Sequence, residues 1–138
     1  MNWSRIVPYA IRCFLENKRP VIRSDGKFVR DFLYVKDAAA AYLTLGEHLA
    51  EDESLSGEAF NFSIGQRFTV LDIVQMVLKL MGRTDLEPVI QNNASSEIRE
   101  QYLDRTKARE QLGWQPQYGI EDALRETIAW YQPELEEF

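Results

Sequence analysis

Cysteine and histidine are nearly absent: the 138 residues hold one of each, Cys13 and His48. A lone thiol cannot build a disulfide framework, and without a Cys/His cluster there is no structural zinc site. The seven glycines stand at 26, 46, 57, 65, 82, 113 and 119. None are spaced closely enough for the tight turn that lets a backbone approach a pyrophosphate at a helix N-terminus. None of the six tyrosines has a lysine four positions on, so the phenol and ammonium pair that moves protons on one helix face is missing. The Gly-x-Ser-x-Gly nucleophile elbow is missing too. Apolar runs stay short, and no charged and then apolar leader follows Met1. Neither a membrane span nor a secretory signal is expected, which fits a cytoplasmic protein.

What is there suits one ordinary globular core. With 45% hydrophobic residues the chain is read as a single domain, 1–138. The net charge of −6 argues against a nucleic-acid binder, but it is unevenly spread. Residues 1–36 carry eight basic groups (Arg5, Arg12, Lys18, Arg19, Arg23, Lys27, Arg30 and Lys36) against three acidic ones, a local +5 that leaves −11 for the remainder. A basic segment on an acidic protein suits a compact anionic ligand better than a long polyanion, which needs an extended basic face. A merely solvated basic face is the competing reading.

Ile6, Val7, Ala10, Ile11, Phe14 and Leu15 recur at helical spacing, predicting a helix that ends near Asn17, before Pro20. Its start almost at the first residue hints at truncation upstream. Val21-Ile22, the Asp25-Gly26 turn and a strand from Phe28 to Val35 form a hairpin-like unit carrying Arg23 and Arg30. Asp37 should open a second helix, with Ala38, Ala41, Tyr42, Leu45 and Leu49 facing inward and the acid favoured by the helix dipole. His48, in its last turn without a fixed partner, is read as structural. Ala59–Phe62 should be a short strand. Thr69 should cap a third helix whose inward face is Ile73, Val74, Val77, Leu78 and Met81, stopped by Gly82. A strand within Leu86–Ile90 is interrupted by Pro88, and Gln91–Glu97 is a loop. A short helix runs from Asp104 to Gly113, and a last helix, marked by Ile120, Ala123, Leu124, Ile128 and Tyr131, is broken at Pro133. The expected fold is α/β: a small mixed lobe of four to five helices with short strands, too few to make a doubly wound sheet.

Several segments, in order, resemble a known family: Arg5-Ile6-Val7-Pro8; Pro20-Val21-Ile22-Arg23-Ser24-Asp25-Gly26; Val29-Arg30-Asp31-Phe32-Leu33-Tyr34-Val35-Lys36-Asp37-Ala38; Phe60-Asn61-Phe62-Ser63; and Tyr102-Leu103-Asp104 through Leu112-Gly113-Trp114-Gln115-Pro116. The chain is similar over nearly its whole length to the extended short-chain dehydrogenase/reductases acting on nucleotide sugars, the 4,6-dehydratases and related epimerases. The resemblance implies the C-terminal portion of a Rossmann enzyme, without the NAD-binding sheet. It also implies an N-terminal partner half that seats NAD and the Tyr-x-x-x-Lys pair. The chain alone would then bind no cofactor and catalyse nothing.

The resemblance further implies a nucleoside-diphosphate sugar as ligand. Arg30 matches the family arginine that meets the diphosphate, as suits its planar fork of donors. The alternative for Arg30 is an ion pair with Asp31 or another acid. Arg5, Ile6, Val21, Ile22 and Arg23 match segments around the base and ribose, with ordinary strand packing the competing reading for Val21 and Ile22, and Asn61 matches a polar contact there. Arg23 stands where deoxythymidine-type dehydratases carry an aromatic residue, and Glu97, also counted with the site, where they carry a histidine. Both departures argue against a deoxythymidine diphosphate substrate, and the Arg5-Ile6-Val7-Pro8 opening with Val21-Ile22-Arg23-Ser24-Asp25-Gly26 resembles the CDP-glucose and GDP-mannose branch. Trp114 is read as an indole packed on the core behind a helix stop. A stand-alone nucleotide-binding or protein-interaction module is the alternative function. Some self-association is expected of a lobe with uncovered apolar surface.

Overall fold

The computed structural model describes residues 3–94 and 97–136, with the side chains of 133–136 left aside. Five α-helices and four two-residue strands follow the order α1 (Ile6–Leu15), β1 (Val21–Ile22), β2 (Val29–Arg30), α2 (Val35–Glu51), β3 (Phe68–Thr69), α3 (Val70–Leu80), β4 (Val89–Ile90), α4 (Thr106–Leu112) and α5 (Ile120–Glu136). A single 3-10 turn, Glu53–Leu55, follows α2.

Two apolar clusters hold these pieces. In the first, α1 (Ala10, Ile11, Phe14), α3 (Val74, Val77, Leu78) and α5 (Leu124, Ile128) close around Ile22 of β1. Each side chain lies on its helix at the three-and-four spacing seen in the sequence, and full burial of each large one stabilises by about 2 kcal/mol. The smaller second cluster joins Ala41 of α2, Ala108 and Leu112 of α4, and Trp114, with Phe60 and Phe62 packed against it. The Trp114 ring meets Phe62 edge-on at 5.0 Å.

Helix ends follow their local chemistry. Pro8 sits in the first turn of α1, where a missing N–H costs nothing. The helix stops as Asn17 takes a φ of 60° and Lys18 N–H donates to the Cys13 carbonyl at 2.7 Å. Thr69 and Asp72 form a reciprocal capping box at the start of α3: the Thr69 hydroxyl accepts from Asp72 N–H at 3.1 Å, and the Asp72 carboxylate from Thr69 N–H at 2.8 Å. Gly113, φ 63°, ends α4.

The strands pair in two separate couples. β1 runs parallel to β4, Val21 opposite Val89 and Ile22 opposite Ile90. β2 runs antiparallel to β3, Val29 opposite Thr69 and Arg30 opposite Phe68. The backbone at 99–101 lies along the other side of β2, with Val29 N–H donating to the Arg99 carbonyl at 2.8 Å and Gln101 N–H to the Val29 carbonyl at 3.1 Å.

Four expectations need correction. The strand over Phe28–Val35 shrinks to Val29–Arg30, and α2 starts at Val35, ahead of Asp37. Asp37 lies in the first turn as expected, but it is 1% exposed, and its carboxylate accepts from the backbone N–H of Gln117 at 2.8 Å and of Tyr118 at 3.4 Å. That tether turns the Asp37 and Ala41 side of α2 inward, and Tyr42, about 100° around the helix from Ala41, is left 80% exposed. Leu49 is exposed for the same reason. Ala59–Phe62 forms no strand, because no strand among the described residues pairs with it. Nearby carbonyls are taken by side chains instead: Lys107 donates to Ala59, and Arg105 to Ser63 and Ile64. Finally, α5 continues through Pro133 to Glu136. Only three residues follow the proline, so few helical bonds are at stake.

Candidate functional site

The basic segment divides by partner. Arg12 and Lys18 pair with Glu16, Arg19 donates to the Glu87 carbonyl, and Lys36 pairs with Glu126. Arg5, Arg23 and Lys27 have no side-chain partner among the described residues. Arg30 lies between, with one bond to its own neighbour's carbonyl at 2.8 Å and a long contact to Glu97 at 3.5 Å.

Backbone pairing gathers three of the expected site residues. Arg23 follows β1, and its carbonyl accepts from Asn93 and Ala94 N–H at 2.8 and 3.1 Å. Arg30 on β2 reaches Glu97 a few residues further along the same loop. Arg23, Arg30 and Glu97 therefore border one stretch of chain. Its lower edge adds Arg99, which has no side-chain partner among the described residues, and Arg67, stacked on the Tyr102 ring at 3.8 Å. Neither Arg67 nor Arg99 was marked by local sequence. Each reaches β2 only through pairing with a remote segment, and no short motif records that. Asp31 is not Arg30's partner: its Oδ2 accepts from Leu103 N–H at 3.2 Å.

The remaining expected residues lie elsewhere. Arg5 caps α1, its carbonyl accepting from Tyr9 N–H, and Ile6 packs on the first cluster. Val21 is half-buried in β1, with its N–H donating to the Tyr9 hydroxyl at 3.1 Å. Ile22 is a core side chain, 3% exposed. Asn61 is exposed between Phe60 and Phe62, over the second cluster. His48 is tied locally, Nδ1 lying 2.9 Å from the Thr44 carbonyl. Among the described residues no group of three His, Cys, Asp or Glu could hold a metal, and no helix is long and apolar enough to cross a membrane.

A second feature, unmarked by the sequence, is a largely apolar cavity of about 880 Å³ lined by Val7, Pro8, Phe32, Leu124, Trp130 and others. At its polar end the Tyr34 hydroxyl and Lys36 ammonium both donate to Glu126 Oε2 at 2.6 Å. Lys36, then Tyr34, pulls the Glu126 carboxyl below its ordinary value, while Glu126 raises both partners. A lowered carboxylate stabilises the fold above its unfolded pKa, and this is lost as pH falls through the folded value. Lys36 and Glu126 are exposed and Tyr34 is half-buried, so the effect is small. Glu126→Gln should melt slightly below wild type near pH 7, and the two melting curves should converge only at a pH well below the ordinary glutamate value of about 4.3. Thermal melts followed by circular dichroism across that pH range check this.

The sequence profile described as GDP-mannose 4,6 dehydratase matches residues 3–127. The chain is thus a mixed α/β member of the NAD-dependent epimerase/dehydratases that act on nucleotide sugars. It belongs to the GDP-mannose 4,6-dehydratase family. It is 29% identical to the dTDP-glucose 4,6-dehydratase of Haemophilus influenzae over 92% of its own length and 39% of that protein's. It is 26% identical to the UDP-glucose 4-epimerase of Mycolicibacterium smegmatis, again over 92% and 39%. The UDP-glucose 4-epimerase of Thermotoga maritima, solved with UDP-glucose, matches at TM-score 0.80 and 29% identity over 95% of this chain and 40% of that one. The dTDP-glucose 4,6-dehydratase of Bacillus anthracis, solved with NAD, shares the fold at TM-score 0.83 and 24% identity over 99% and 41%. The chain therefore spans about two-fifths of these relatives.

Proposed function

We propose that the chain is the C-terminal, nucleotide-sugar-binding part of an NAD-dependent sugar-nucleotide 4,6-dehydratase or epimerase. The observation that carries this is the cationic edge at β2: among the described residues Arg30 is held in place with most of its donors unused, and Arg23, whose carbonyl is bonded to the loop after β4, and Arg99 on that loop have no side-chain partner. A nucleoside diphosphate needs such a place, because its charge is compact and its oxygens match a guanidinium fork. Arg30 meets the diphosphate, with Arg23 and Glu97 beside it; Ile22 and Ile6 serve by packing in the first cluster, and Arg5, Val21 and Asn61 stand away from this edge.

The residues present do not fit a dinucleotide seat. Such a seat needs a parallel strand running through closely spaced glycines into a helix. The parallel couple among the described residues, β1 with β4, is two residues long, and neither strand leads into such a turn. NAD and the chemistry at the hexose belong to the rest of a family-length polypeptide. The exposed side of α2 around Tyr42 and Leu43, and the cavity between α1 and α5, are consistent with surfaces that such a remainder covers.

Calorimetric titration with CDP-, GDP-, UDP- and dTDP-hexoses, and separately with NAD, tests this reading. One nucleotide sugar should saturate the chain while NAD gives no heat. Stoichiometric NAD binding, or hydride transfer by the chain alone, would overturn it.

A further inference from the structure

Arg30 uses little of its hydrogen-bonding capacity inside the chain. A guanidinium has five N–H donors. Among the described residues one makes a full bond, to the Val29 carbonyl, and one reaches Glu97 at the outer limit of 3.5 Å. The Phe28 ring lies 5.7 Å from the guanidinium carbon, supporting that group without consuming a donor. Glu97 makes no other hydrogen bond among the described residues, and its side chain is 51% exposed against 26% for Arg30. The acid is thus loosely held and the base firmly placed, with the acid in front of donors that an anionic ligand would use.

We propose that Glu97 is a resident anion that competes with the incoming ligand for Arg30 and thereby sets the affinity of this site for diphosphate groups. The proposal rests on the reading of Arg30 as the diphosphate anchor, and it gives Glu97 a different role from direct contact with the nucleoside. An incoming diphosphate must displace the carboxylate or lie beside it against like-charge repulsion, and either lowers affinity. The contact itself adds little to the fold, as is usual for an exposed pair. Its loss is therefore expected to leave the chain folded.

The test is calorimetric titration of inorganic pyrophosphate and of CDP into the wild-type chain, Glu97→Gln, Arg30→Ala and the double variant at low salt. Glu97→Gln should bind both ligands about fivefold more tightly, with a gain that shrinks as salt is added. Arg30→Ala should bind both more weakly, and the double variant should show no gain over Arg30→Ala. Pyrophosphate affinity unchanged or reduced in Glu97→Gln overturns the proposal, and loosened CDP binding alone reassigns Glu97 to nucleoside contact. A gain that persists without Arg30 also overturns it, since the effect is then general charge and not competition. If Arg30→Ala binds like wild type, or no variant binds pyrophosphate, the reading of Arg30 itself fails.

Discussion

Replacing Arg30 by Ala should lower the affinity of the chain for its nucleoside-diphosphate sugar by about 2 kcal/mol, roughly thirtyfold, the usual cost of losing hydrogen bonds to a charged group. The fold should survive. Arg30 contributes to the architecture through its backbone, in the ladder with Phe68, which alanine preserves. Among the described residues its side chain meets only the Glu97 carboxylate, at 3.5 Å, and the Phe28 ring, at 5.7 Å. Arg30→Lys should recover only part of the loss, because an ammonium keeps the charge without the two-pronged geometry. Calorimetry on the three proteins, with circular dichroism to verify folding, gives the answer. A variant that binds as well as wild type would leave the cationic edge without its anchor.

The largest expected effect on stability lies away from that edge. Asp37→Ala leaves two backbone N–H groups, on Gln117 and Tyr118, without their acceptor in a part-buried place and removes a buried carboxylate. A cost of about 3 kcal/mol is expected, corresponding to a melting temperature lower by about 10 °C for a chain of this size. The same bonds join α2 to the segment leading from α4 into α5, so both clusters should feel the loss. Asp37→Asn keeps an acceptor oxygen and should lose less than half as much. Thermal melts of both variants check the expectation, and an unaltered midpoint in Asp37→Ala would show that those N–H groups find other partners.

Asp37 also shows why part of this structure could not be read from residues in order. The helices were legible because their information is local: Ile73, Val74, Val77 and Leu78 repeat with the helix and are all buried. Thr69, with Asp72 three residues on, announces the start of α3. The inward face of α2 was less so, since it is fixed by a bond from Asp37 to residues some eighty positions away. Ala59–Phe62 alternates as a strand does, yet a strand exists only where a neighbour offers a ladder. Arg23, Arg30 and Glu97 could be named in advance from resemblance. Their arrangement along the chain that follows β4, with Arg99 beside them, depends on β1 pairing with β4 and on residues 99–101 lying against β2, partners far apart in sequence. The cavity is lined by α1, residues 32–36 and α5, three remote stretches whose meeting no one stretch's own pattern encodes.

Thr69 serves two elements at once: it is the rung opposite Val29 and the cap of α3. The short ladder bearing Arg30 is therefore bolted to a helix whose far side is fully immersed in the main cluster. A group mounted this way arrives already oriented, so little freedom is left to lose when an anion docks. Loosening the mount at Thr69 would be felt as weaker docking even though its side chain never touches the guest.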